Sequence, residues 1–170
     1  LDEAEGALWT TRLLEALQVE ELPEMDRVVV AIDPPVTGRE VSDECGIVVA
    51  GAVTQGPVQD WRAYVLADCS IEAASPSSWA NAAIRAMEQF GAERLVAEVN
   101  QGGDLVAQVI RQVDPLVPVK SVHASRGKVA RAEPVAALYE QRRVFHARGL
   151  GDLEDQMCAM TAQGYEGKGS

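Results

Sequence analysis

The chain has 170 residues, 47% of them hydrophobic, and 26 acids against 15 bases give a formal charge of −11. This length suits one domain with its own core and excludes two of ordinary size, while the composition excludes a disordered or low-complexity protein. No apolar run approaches the roughly 18 to 20 residues of a membrane span, and the start LDEAEGALWT lacks the basic and apolar regions of a signal peptide, so a soluble cytoplasmic protein is expected.

The opening GALWTTRLLEALQVEEL spaces Leu8, Trp9, Leu13, Leu14 and Leu17 helically before Pro23, which predicts a short amphipathic lead-in helix or linker within residues 1–25. RVVVAID is a β-branched run stopped by DPPVTG, the pattern of a strand buried on both faces. CGIVVAGAV and WRAYVLADCS follow as strands joined through TQGP, so the first three strands form a hairpin-linked meander. SPSSWANAAIRAMEQFGA then changes period: Ser75 is an N-cap, Pro76 opens the helix and Gly91 closes it. RLVAEVN predicts a fourth strand, GGDLVAQVIRQVD a helix and VPVKSVHA a fifth strand. GKVARAEPVAALYEQRR is a helix tolerating Pro134 near its first turn, VFHA a short extended piece, and GDLEDQMCAMTA a last helical segment. Strands first and alternation afterwards indicate one α/β domain over residues 1–170, with a mixed five-stranded sheet and helices on both faces.

Two acids close strands: Asp33 the first and Glu98 the fourth. Ligands bind at the carboxyl ends of neighbouring strands in such sheets, and two anions placed there need protons or cations to compensate them. Oxygen ligands without nearby Cys or His favour Mg²⁺ or Mn²⁺ over zinc. An Asx-turn before Pro34 explains Asp33 equally well, whereas Glu98 is a poor cap and weighs toward function. Asp43, near the same turn, is a possible third ligand or a plain turn residue. His123 and His146 stand isolated and read as strand-end or surface residues, and Cys45, Cys69 and Cys158 as buried thiols without a disulfide or zinc spacing. The charge is polarised, since residues 1–44 hold twelve acids and three bases while residues 120–148 hold seven bases and two acids. A basic face toward a polyanion is therefore compatible with the negative total, although a solvated helix face explains most of these bases singly.

VVVAIDPPVTGREVSDECGIVVAGAV, RLVAEVNQGGDLV, SVHASRGKVARAEPVAALYEQRRVFHARGLGDLEDQM and TAQGYEGKGS resemble, in that order, the C-terminal nuclease domain of the large terminase subunit of tailed phages, prophages and gene-transfer-agent particles. GALWT resembles the exit from that family's ATPase motor, while a Walker A motif is missing, so this segment is not expected to bind ATP. The resemblance implies an RNase H-like fold and a two-metal-ion endonuclease, using Mg²⁺ or Mn²⁺, that cleaves concatemeric double-stranded DNA during packaging. It also implies an N-terminal ATPase domain, a portal protein and a small terminase subunit as partners, and the bacterial host cytoplasm as location. Asp33 and Glu98 match its catalytic, metal-bridging acids, Asp43 its supporting acid, and Lys128 and Arg131, with Arg126 beside them, its DNA-binding positions. The family's third metal-binding aspartate falls past Ser170, so cleavage is expected to be weak if the polypeptide ends there. Another RNase H-like nuclease, such as a junction resolvase, and a non-catalytic docking module of a packaging motor are the alternatives.

Overall fold

In the computed structural model, residues 5–35, 44–72, 75–99 and 104–165 are described. A six-stranded mixed sheet runs in the order β5-β4-β1-β2-β3-β6. Its strands are β1 (Arg27–Asp33), β2 (Gly46–Val53), β3 (Arg62–Asp68), β4 (Arg94–Val99), β5 (Val119–His123) and β6 (Val144–His146). The first three strands are neighbours, as the turn-bounded runs predict. VFHA does more than the sequence reading expected: as β6 it pairs in parallel with β3, from Ala63 opposite Val144 to Val65 opposite His146, and makes the sixth strand. Three residues are too few for a period-2 signal, and their partners lie some eighty positions earlier.

The residues form two compact units. One comprises Met25–Gly51 and Leu66–Ala124. Here β1 and β4 pair in parallel, Ile32 opposite Ala97, and β4 pairs in parallel with β5, Glu98 opposite Val122. Helix α2 (Pro76–Phe90) starts as predicted, with the Ser75 hydroxyl accepting the Ser78 N–H, and stops at Gly91, whose φ of 62° is a left-handed cap that glycine adopts without strain. Its Trp79, Ala83 and Met87 bury against Val30, Ile32, Ile47, Val49, Leu95 and Ala97, joined by Ile110 of α3 (Leu105–Val113). Alternation therefore turns Val30 and Ile32 into this core and Ala31 and Asp33 to the other sheet face.

The second unit comprises Leu1–Glu24, Ala52–Val65 and Ser125–Ser170. Its core gathers Trp9, Leu14, Leu17, Ala136, Tyr139 and Val144. The predicted lead-in helix is the short α1 (Thr11–Ala16), opened by Thr10, whose hydroxyl accepts the Leu13 N–H. This segment is tied by backbone as well, for Leu8 N–H donates to Met160 and Val19 N–H to His146. Helix α4 (Lys128–Glu140) carries Pro134 in its second turn rather than its first, and α5 (Gly151–Cys158) leads into a small antiparallel pair, β7 (Met160–Thr161) with β8 (Gly164–Tyr165). No helix among the described residues is long and apolar enough to cross a membrane.

Candidate active site

The β-branched run of β1 carries the chain through the core and delivers Asp33, exposed, at its carboxyl end. On β4, apolar residues likewise lead to the half-buried Glu98. The parallel register matches Ile32 with Ala97, so one further step sets Asp33 opposite Glu98 on neighbouring strands, spaced about 4.8 Å apart. Opposite residues of a parallel pair share a face, and both carboxylates lie on the face turned away from the core of α2 and α3. The adjacency on which the sequence argument depended is thus present in the sheet. Asp43 lies outside the described residues.

On the other flank of Asp33 stands Gly46 of β2. A Cβ at Gly46 would lie 3.8 Å from both the Cβ and the carbonyl oxygen of Asp33. Gly46 thus sets no side chain against Asp33. Cys45, the next residue, is fully buried, and burial, together with the charges of Asp33 and Glu44, pushes its thiol up to about 12. It stays protonated at neutral pH and is no thiolate ligand. The donors at this point are therefore carboxylate oxygens, hard ligands suited to Mg²⁺ or Mn²⁺. Among the described residues no group of three or more His, Cys, Asp or Glu side chains gathers as a metal site. Asp33 and Glu98 accordingly fit as part of an oxygen-ligand set, not as the whole of it.

The predicted phosphate contacts belong to the second unit. Lys128 is the first residue of α4 and Arg131 stands one turn on, where the i, i+3 spacing puts both on one helix face. Arg126 precedes the helix, and all three are exposed. His123 is exposed at the end of β5, and Asp104, just before α3, accepts a hydrogen bond of 2.9 Å from the Ser121 hydroxyl.

His146 is the residue that the sequence reading underestimated. It does end a strand, β6, but its side chain is completely buried. Its Nδ1 lies 3.0 Å from Glu154 Oε2 and its Nε2 lies 2.6 Å from the Tyr139 hydroxyl. In the neutral imidazole, Nδ1–H donates to the Glu154 carboxylate and Nε2 accepts from the Tyr139 hydroxyl. Burial pulls the imidazole below its ordinary value, against the Glu154 hydrogen bond and charge, which raise it. Burial and the same carboxylate push the Tyr139 phenol up. Trp9 stacks edge-on against Tyr139 at 5.8 Å. Glu154 lies in the first turn of α5, from which its carboxylate reaches His146. No local pattern announces this triad, because its members meet only after β6, α4 and α5 have packed.

The solved structures most like this fold include the bacteriophage HK97 large terminase, at TM-score 0.61 and 11% identity over 94% of this chain and 38% of that one. The large terminase nuclease of thermophilic phage G20c with bound cobalt gives TM-score 0.61 and 14% identity over 98% and 92%. A mutant nuclease domain of the large terminase subunit of bacterial virus Sf6, with manganese and beta-thujaplicinol, gives TM-score 0.59 and 12% identity over 90% and 81%. The chain thus spans less than two-fifths of the HK97 large terminase chain, but most of the nuclease chains from G20c and Sf6. No curated protein matches it. Residues 30–169 match the family described as the terminase RNaseH-like domain, and the chain belongs to that family.

Proposed function

We propose that this chain is the metal-dependent endonuclease domain of a large terminase subunit, cutting concatemeric double-stranded DNA as a genome is packaged. The observation that carries the reading is the parallel pairing that sets Asp33 opposite Glu98 at the carboxyl ends of adjacent strands, beside the side-chain-free Gly46. The cobalt and manganese in the G20c and Sf6 nuclease structures support a divalent ion at such a site. Asp33 and Glu98 would hold it, with Asp43 in support. When bound, a pair of such ions supplies Lewis-acid stabilisation of phosphate charge and a nucleophile active at neutral pH.

The chain's own groups position rather than attack. Asp33 and Glu98 would orient the ligand sphere, Gly46 stands beside Asp33, and the protonated Cys45 offers no competing soft donor. Arg126, Lys128 and Arg131 hold backbone phosphates, so this binding is salt-sensitive and independent of sequence. In the full-length protein, residues 1–25 would lead in from the ATPase domain, with the portal and the small terminase subunit as further partners.

Plasmid nicking and linearisation, compared in Mn²⁺, Mg²⁺ and EDTA, tests this. Cleavage should need the divalent ion. Cleavage that persists in EDTA, or none in either ion, would overturn the reading, and a strong preference for branched over linear duplex would favour a junction resolvase.

A further inference from the structure

The face of the sheet that carries Asp33 and Glu98 also carries a row of cations with no role so far. Along β1 this face presents Arg27, Val29, Ala31 and Asp33; along β4, Arg94, Val96 and Glu98; along β5, Lys120 and Val122. The two acids stand at the carboxyl ends of their strands. Every other charged residue on these three strand faces is a base, in a chain where acids outnumber bases 26 to 15. Arg27, Arg94 and Lys120 are all exposed.

Their spacing is regular. Lys120 lies opposite Val96, two residues short of Glu98. Arg94 lies two residues behind Val96 on the next strand and opposite Val29. Arg27 lies two residues behind Val29, again one strand over. Each step combines two residues of rise, at about 3.3 Å each, with one strand spacing of about 4.8 Å, so neighbouring Cα atoms on this diagonal are roughly 8 Å apart. Glu98 is equally far from Lys120, two residues on but one strand back, on β4, so the line turns at Lys120, whose flexible ammonium is within reach of a phosphate held at the acid pair. Arg27 is partly offset by Glu93 at 3.5 Å, but side chains 65% and 41% exposed make a weak pair that a phosphate can displace. Lys120 and Arg94 have no ion-pair partner among the described residues.

We propose that Lys120, Arg94 and Arg27 form a phosphate track across the β5-β4-β1 face, along which the backbone of one DNA strand runs into the Asp33–Glu98 site. The proposal rests on the nuclease reading and adds to it binding residues other than Arg126, Lys128 and Arg131. Lys120 is the innermost contact and a positioning residue for the scissile phosphate. Segregation of charge on one sheet face explains how a chain of net charge −11 can seat a polyanion beside two carboxylates.

The test is the affinity for a short blunt-ended duplex, measured in EDTA over a range of salt concentrations, for a double variant Lys120→Gln and Arg94→Gln. All of these side chains are exposed, so folding should be unaffected. A matched double variant, Arg85→Gln and Arg111→Gln, removes the same charge from α2 and α3. The track predicts that affinity falls roughly tenfold for the first pair and that its log–log salt slope drops by about two, with the second pair near wild type. Lys120→Arg should restore most of the loss caused by Lys120→Gln. Equal slopes and affinities for the two double variants would overturn the track. This readout needs no metal and no cleavage, so its failure is distinct from that of the nuclease reading, which absence of any divalent-dependent cleavage by the wild-type chain would sink.

Discussion

Asp33 and His146 both end a β-strand, and their fates are opposite. Asp33 leaves β1 exposed, facing Glu98 across a parallel pair and flanked by a glycine. His146 leaves β6 fully buried, with both ring nitrogens engaged, and its backbone is held as well: its N–H donates to Leu17 and its carbonyl accepts from Val19. A polar group whose partners are already in the fold has nothing left to offer a ligand. Asp33 and Glu98, like charges at the carboxyl ends of adjacent strands, gain when something positive arrives. On the proposed reading the first is a place for chemistry, while the second is a structural joint.

The comparison can be broken by single substitutions. The largest expected effect is on cleavage: Asp33→Asn should reduce metal-dependent cutting by roughly a hundredfold or more, the several kcal/mol that a bound ion supplies, while the melting temperature stays unchanged because the side chain is exposed. His146→Ala should do the reverse. Losing a buried ring and orphaning Tyr139 and Glu154 should cost about 3 kcal/mol, read as a fall in melting temperature of roughly 10 °C, with cleavage per folded molecule retained. A chain in which His146→Ala melts normally, or Asp33→Asn melts early, would undo the distinction.

Acid should sharpen it. The folded chain holds His146 neutral with a lowered pKa, whereas the unfolded chain takes up a proton near its ordinary value of about 6.5. Stability is therefore greatest above that pH and declines as pH falls through it toward the lower folded value. Denaturant titrations between neutral pH and pH 5 should show this slope, and His146→Gln should flatten it. The smallest effect is expected at Arg148, whose ion pair with Glu20 joins two exposed side chains; Arg148→Ala should change stability by no more than about 0.5 kcal/mol.

Much of this arrangement is legible in the sequence where structure is local. The Ser75–Pro76 start and the Gly91 stop of α2 are set by capping and backbone freedom, and β1 by a continuous β-branched run. Asp33 and Glu98 stand out as acids at strand ends before any partner is known. What stays hidden depends on distant pairing: β6 is too short to declare itself, and nothing near His146 tells of Tyr139 or Glu154. The lead-in segment illustrates the same limit. Its helical spacing is plain, but the burial of Trp9, Leu14 and Leu17 against Tyr139 and Val144 follows only from the assembled core. The Lys120, Arg94 and Arg27 diagonal is likewise invisible until the parallel register aligns three strands.

The central claim is that Asp33 and Glu98 jointly hold a divalent ion. Titration calorimetry of Mn²⁺ into the protein, beside its Asp33→Asn and Glu98→Gln variants, tests it most directly. The account predicts saturable binding that each variant weakens at least tenfold; undiminished Mn²⁺ binding by both variants would contradict it.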